Sequence, residues 1–217
     1  MPSREPSGTD ELAVERDRAV FINCPFDPEF SPLQDAIVFA VACCGFIPRS
    51  AIESGTVSEP RMERVMRAIF TSKYSIHDLS RYRGEGSDHL ARFNMPLELG
   101  IAMACRFASV RKKNLHDWLL LVPEGHLHHR FISDLSAWDP KPYDGNVTSL
   151  VPHVVSWLAT RPEAVNTPTP KQVLDALPHF QASHERLRDR WGAEIPWWKL
   201  VAAARESSRR IDPLIES

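Results

Sequence analysis

Cysteine is scarce: four in 217 residues, two of them adjacent at Cys43 and Cys44. That count and spacing exclude a disulfide framework and match no thiolate metal site, so the four are read as reduced, buried thiols. Charge of one sign is also missing. A net charge of −2 gives no global pull towards nucleic acid or an anionic membrane, and neither is expected as a partner. No apolar run approaches the length of a membrane span, and the opening MPSREPSGTDELAVERDR has no apolar signal-peptide core. These features predict a cytoplasmic protein. Internal repeats and low-complexity tracts are absent. So are a G-x-G-x-x-G fingerprint, a P-loop, a G-x-S-x-G elbow and an H-E-x-x-H zinc helix.

What is present is an ordinary globular composition, 43% hydrophobic and 25% charged, in a chain long enough to bury one main core. Residues 1–18 are polar and read as a flexible tail. From 19 to 160 short apolar runs alternate with helical patterns. AVFINCPF (19–26), FIPRSAI (46–52), YSIHDLS (74–80) and WLLLVPE (118–124) read as strands, with a further short strand near 131–138. SPLQDAIVFAVACCG (31–45) reads as a helix, with Ser31 as its cap, Pro32 in its first turn and Gly45 just past its end. EPRMERVMRAIFTS (59–72) is amphipathic at helical spacing. TSLVPHVVSWLAT (148–160) is a helix perturbed by Pro152. Such alternation predicts an α/β fold, a parallel sheet with helices on both faces. Residues 161–170, RPEAVNTPTP, have a linker's composition. The rest, to 217, reads as a helical C-terminal extension, with Pro178 as a break or kink and the PWWKL tryptophans docking it on the core.

One segment stands out. From Met95 to Cys105 every residue is apolar or small except Glu98. Asn94 suits an N-cap and Pro96 an early helical position, so a helix is predicted from Met95. Leu97, Ile101, Ala104 and Ala108 line one side of it and Leu99 and Met103 another. A helix apolar all round is buried, which sets Glu98 against a partner cation or a cavity. Gly100 and Ala102 are small enough for close approach to the sheet or a ligand. The helix dipole favours the Glu98 charge and apolar neighbours oppose it. In open parallel sheets the ligand crevice lies beyond the strand C-termini, and CPFD and HDLSR should both arrive there.

The strand ending in Asp78, Leu79 and Ser80, followed by a loop and then Asn94, Glu98, Leu99, Gly100, Ala102 and Ala104, resembles the nucleoside deoxyribosyltransferase-like superfamily and the structurally related TIR domains. The opening VFINCPFD is similar to that group's first strand and loop. The resemblance spans about 19–160 and implies a Rossmann-like (flavodoxin-like) sheet. It also implies an N-glycosidase or glycosyltransferase acting on a nucleotide such as NAD, and relatives of this fold serve in bacterial defence. Carried over, Glu98 is the catalytic carboxylate at the anomeric carbon, and Asp78 orients a ribose hydroxyl or the leaving base. Asn94 contacts the sugar. Ser80, Cys24, Pro25, Phe26, Arg81 and Arg92 line the substrate site. No metal or redox cofactor is implied, and a neighbouring subunit of a homo-oligomer completes some sites of this kind. Where the family carries Gly-Thr before the glutamate, this chain has Asn94, Met95 and Pro96, and its loop 81–93 is long. Hydrolysis, transfer and binding alone stay open.

Plainer roles stand beside these. Glu98 can be a structural carboxylate paired with Arg49, Arg81 or Arg92. Asp78 can cap a turn, His77 can be a packed strand residue and Cys24 an inert thiol. Loop 81–93, with Arg81, Arg83, His89 and Arg92, suits a phosphate but also an ordinary solvated loop. GHLHHR (125–130) lacks carboxylate or cysteine at ligand spacing and reads as a polar turn. A nucleotide sensor without chemistry, or an interaction module, are the alternative functions.

Overall fold

The computed structural model describes residues 15–53, 58–81, 93–108, 115–125 and 132–211. Five short runs pair into one parallel sheet: β1 (Ala19–Asn23), β2 (Ile47–Arg49), β3 (Tyr74–Asp78), β4 (Asp117–Pro123) and β5 (Lys141–Tyr143). Their order is β2-β1-β3-β4-β5, the flavodoxin-like order of doubly wound sheets. β1 and β3 are buried at every position, as central strands covered on both faces must be. The edges are blunt. β2 and β5 have three residues each, and both carry a proline, which an edge tolerates because one side of the strand needs no ladder donor.

Strand alternation divides the core. Val20, Ile22, Tyr74, Ile76, Leu119 and Leu121 meet α1 (Ser31–Cys43) and α4 (Val147–Ala159) on one face. Phe21, Trp118, Leu120 and Val122 meet α2 (Arg61–Phe70) and α3 (Asn94–Ala108) on the other. α1 runs Asp35 to Ala42 with every residue buried, so it is covered away from the sheet as well as towards it. That cover is α5 (Pro170–Trp191) and α6 (Trp197–Ser208). Phe180 stacks on Phe39 at 5.3 Å, His184 bonds Asp35 at 2.7 Å, and the Trp197 indole donates to the Pro48 carbonyl at 3.0 Å. Trp197 therefore docks, whereas Trp198 is exposed beneath the Lys199 ammonium.

Several local expectations need correction. Ser31 does not cap α1; its hydroxyl accepts from Arg188, and Asp27 holds the Phe30 amide instead. Gly45 does adopt the left-handed conformation past the helix end, with φ 79°. The strand expected near 131–138 is a 3-10 turn over Ser133–Trp138, and the fifth strand lies beyond it. α5 begins at a Thr169–Gln172 capping box and continues through Pro178. Pro178 is on the exposed side of the helix, while Leu177 and Phe180 hold the helix down on either side of it. Residues 161–169 are irregular but anchored. Glu163 accepts from Lys73 and from the Tyr74 hydroxyl, and Arg161 pairs with Asp117. No helix among the described residues is long and apolar enough to cross a membrane.

Candidate functional site

β1 and β3 are neighbours in the sheet, yet the chain leaves them for opposite faces, to α1 and to α3. Their C-terminal ends thus part and leave a crevice, the place where open parallel sheets take ligands. The N-terminus of each helix that follows a strand arrives at this same edge. Cys24 and Pro25 are buried at the end of β1, and Phe26 beside them is 39% exposed. Asp78 ends β3, Ser80 lies two residues beyond it, and α3 brings in Glu98.

Glu98 is 2% exposed. Its partner is Arg61, the first residue of α2, whose guanidinium lies 3.3 Å from the carboxylate. Burial pushes the Glu98 carboxyl above its ordinary range, and the Arg61 charge pulls it partly back. The arginines proposed as partners are engaged elsewhere or lie outside the described residues. Arg49 binds Glu53 at 2.7 Å, Arg81 binds Asp27 at 3.0 Å and Glu29 at 3.1 Å, and Arg92 falls outside. The available signal for Arg61 was positional, since a helix that follows a parallel strand must start at the crevice edge.

α3 is not buried all round. Met95, Glu98, Leu99 and Ala102 face inward, while Leu97 and Phe107, and Phe93 just before the helix, are exposed. Gly100 is exposed as well, and a Cβ there would meet nothing within 4 Å, so Ala102 alone makes the close approach. The physical reason is that among the described residues this side of the sheet carries a single helix layer. Asn94 is exposed at the first helical position.

Asp78 is completely buried. One oxygen accepts from the Ser80 amide at 2.9 Å and from the Ser80 hydroxyl, and the other accepts from Tyr143 at 2.7 Å. This is an Asx turn at a strand end. Burial raises the Asp78 carboxyl, and the Ser80 and Tyr143 bonds oppose the rise. Tyr143→Phe removes one of these charge-assisted bonds and is expected to cost about 1.5–3 kcal/mol near neutral pH. A carboxyl raised by folding contributes stability that is full below its unfolded pKa and lost as pH rises through its folded one. The cost should therefore shrink in acid, as urea unfolding of both proteins across pH would show.

Arg81 ties the loop after β3 to Asp27 and Glu29 in the loop after β1. Burial, then the carboxylates of Asp78, Glu98 and Asp27, push the Cys24 thiol well above its usual range. Burial and these charges make it an inert thiol. His77 is a buried strand residue held neutral, its pKa lowered to about 3 by burial and by His116. Residues 82–92 and the histidines of 126–131 lie outside the described residues. Among those described, no group of three or more metal-binding side chains forms. Comparison of the chain with protein-family models, curated proteins and solved structures finds no match.

Proposed function

We propose that the chain is a nucleotide N-glycosidase acting in the crevice between the ends of β1 and β3, with Glu98 as its carboxylate. The observation that carries this reading is a carboxylate buried at that crevice which, unlike Asp78, no described hydroxyl holds, with a charge that burial disfavours and, among the described residues, the half-exposed Arg61 paired with it. In such cleavage the bond from C1′ to the base nitrogen breaks and its electrons leave with the base. Positive charge builds on the sugar, and a desolvated carboxylate stabilises or traps it before water or another acceptor completes the reaction.

The neighbours favour a base that leaves without a proton. Asp78 is committed to Ser80 and Tyr143, and His77 is held neutral within the sheet. A pyridinium base such as the nicotinamide of NAD departs neutral and needs no general acid, so NAD suits these residues better than an ordinary nucleoside. The resemblance of the Asp78-to-Ala104 pattern points the same way. The internal bonds of Asp78 also favour a second reading, a nucleotide sensor that binds without cleaving.

Incubation of the protein and its Glu98→Gln variant with NAD and a nucleotide panel separates the two. Free base from wild type alone supports cleavage; thermal stabilisation by one compound with no base released supports the sensor. The ion pair adds a pH prediction. Glu98 acts ionised, so activity rises with pH through its pKa, and Arg61 lowers that pKa. Arg61→Ala is expected to move the acid limb of the rate profile to higher pH. An unmoved limb would mean that another group controls it.

A further inference from the structure

Beneath α3 a chain of buried polar side chains crosses the sheet from the crevice to the opposite edge. Asn23 Nδ2 donates to the Met95 carbonyl at 3.0 Å and lies 2.9 Å from His77 Nδ1. His77 Nε2 is 2.8 Å from Ser75 Oγ, which is 2.8 Å from His116 Nε2, and His116 Nδ1 is 3.0 Å from the Ser72 carbonyl. Both ends are backbone carbonyls, which only accept, so every proton in the chain is assigned. At one end His116 carries its proton on Nδ1, and its Nε2 accepts from the Ser75 hydroxyl. At the other the Asn23 amide must turn its nitrogen to Met95, so His77 Nδ1 accepts and Nε2–H donates to Ser75. The two assignments meet at Ser75 without conflict, and both imidazoles must be neutral. Burial agrees, lowering His77 to about 3 and His116 to about 4.

A carboxamide ends the chain and cannot pass a proton on, so the chain is a clamp rather than a proton wire. It consumes both amide hydrogens of Asn23 and fixes the direction of the carbonyl oxygen. That oxygen, Oδ1, is buried and accepts from no described residue, in a side chain 1% exposed. A buried acceptor left so costs about 1–3 kcal/mol. Asn23 is followed by Cys24 at the crevice and lies under the first turn of α3, bonded to Met95, three residues before Glu98.

We infer that Asn23 Oδ1 is the acceptor for the sugar hydroxyl next to the anomeric carbon, the 2′-hydroxyl, so that the site selects ribonucleotides over 2′-deoxyribonucleotides. This rests on the glycosidase reading, because Glu98 at C1′ is what puts the 2′ position beside Asn23. His77 and Ser75 are positioning residues, acting through the amide they hold.

The test is base release from NAD and from its analogue lacking the 2′-hydroxyl on the nicotinamide ribose, by wild type, Asn23→Ala and Ser75→Ala. Wild type is expected to favour NAD by about 10²-fold or more in kcat/KM, although the deoxy analogue is intrinsically the more labile. Asn23→Ala should lose that preference by slowing NAD cleavage alone, and Ser75→Ala should lose part of it. Imidazole nitrogen NMR should show His77 as the Nε2–H tautomer and His116 as the Nδ1–H tautomer in wild type, and any other pair would overturn the clamp. Equal rates on the two substrates in wild type would overturn the inference and leave the glycosidase standing, whether or not the variants fold. So would Asn23→Ala slowing both equally, the mark of a structural acceptor. No base from wild type with either substrate would overturn both.

Discussion

Glu98→Gln is expected to release no measurable base, a loss of about 10³-fold or more, while unfolding at the same temperature as wild type or slightly above it. The two halves of that result are linked. Glutamine keeps the shape and still accepts from Arg61, but it cannot stabilise a cationic sugar or bond to it. Burial of the charged carboxylate raises its pKa by more than Arg61 lowers it. Such a group contributes stability fully only below the ordinary glutamate range, and that stability is lost as pH rises through the raised value. At neutral pH the substitution removes a disfavoured charge, and Arg61, with its side chain 44% exposed, keeps water beside it as well as the glutamine oxygen. A purely structural carboxylate behaves in the opposite way, because its neutralisation breaks a net favourable pair. Activity and melting temperature measured together across pH thus separate the roles. A clear fall in melting temperature at pH 7 with base release intact would assign Glu98 to the fold.

The layering was legible because it depends on periodicity. Runs such as AVFIN and YSIHD are buried throughout and short, which marks central parallel strands. α2 has a sharp apolar face, and Gly45 marks a helix end. Periodicity assigns faces, however, and not partners. Arg61 lies 37 positions from Glu98, and nothing local ties the two. Asn23 and His77 meet because β1 and β3 pair in that register, so the clamp exists only once the sheet is assembled. α3 misled for a related reason. Its exposed Leu97 and Phe107, and Phe93 just before it, look like core until one knows that among the described residues no second helix layer covers that side. RPEAVNTPTP carries the composition of a tether, yet Glu163 and Arg161 within it bind β3 and β4 residues.

A chain ended at Thr160 is expected not to fold. α1 is buried from Asp35 to Ala42 without interruption, and a helix buried on every side needs cover on every side. Val173, Leu177, Phe180, Trp197, Leu200 and Val201 supply the outer cover and belong to the same core cluster as Phe39 and Val38. Burying these six large side chains contributes on the order of 10–15 kcal/mol, as much as the whole net stability of a typical domain. Truncation also strips Asp35 of His184, leaving a carboxylate facing a new apolar surface. Far-UV circular dichroism, size-exclusion chromatography and thermal unfolding of the truncated chain would check this. A monomer with a cooperative transition would show that α5 and α6 are an appendage. Loss of folding would show that the crevice depends on them, because the loop carrying Cys24, Phe26 and Asp27 runs directly into α1, and α1 keeps its place only while both of its sides are covered.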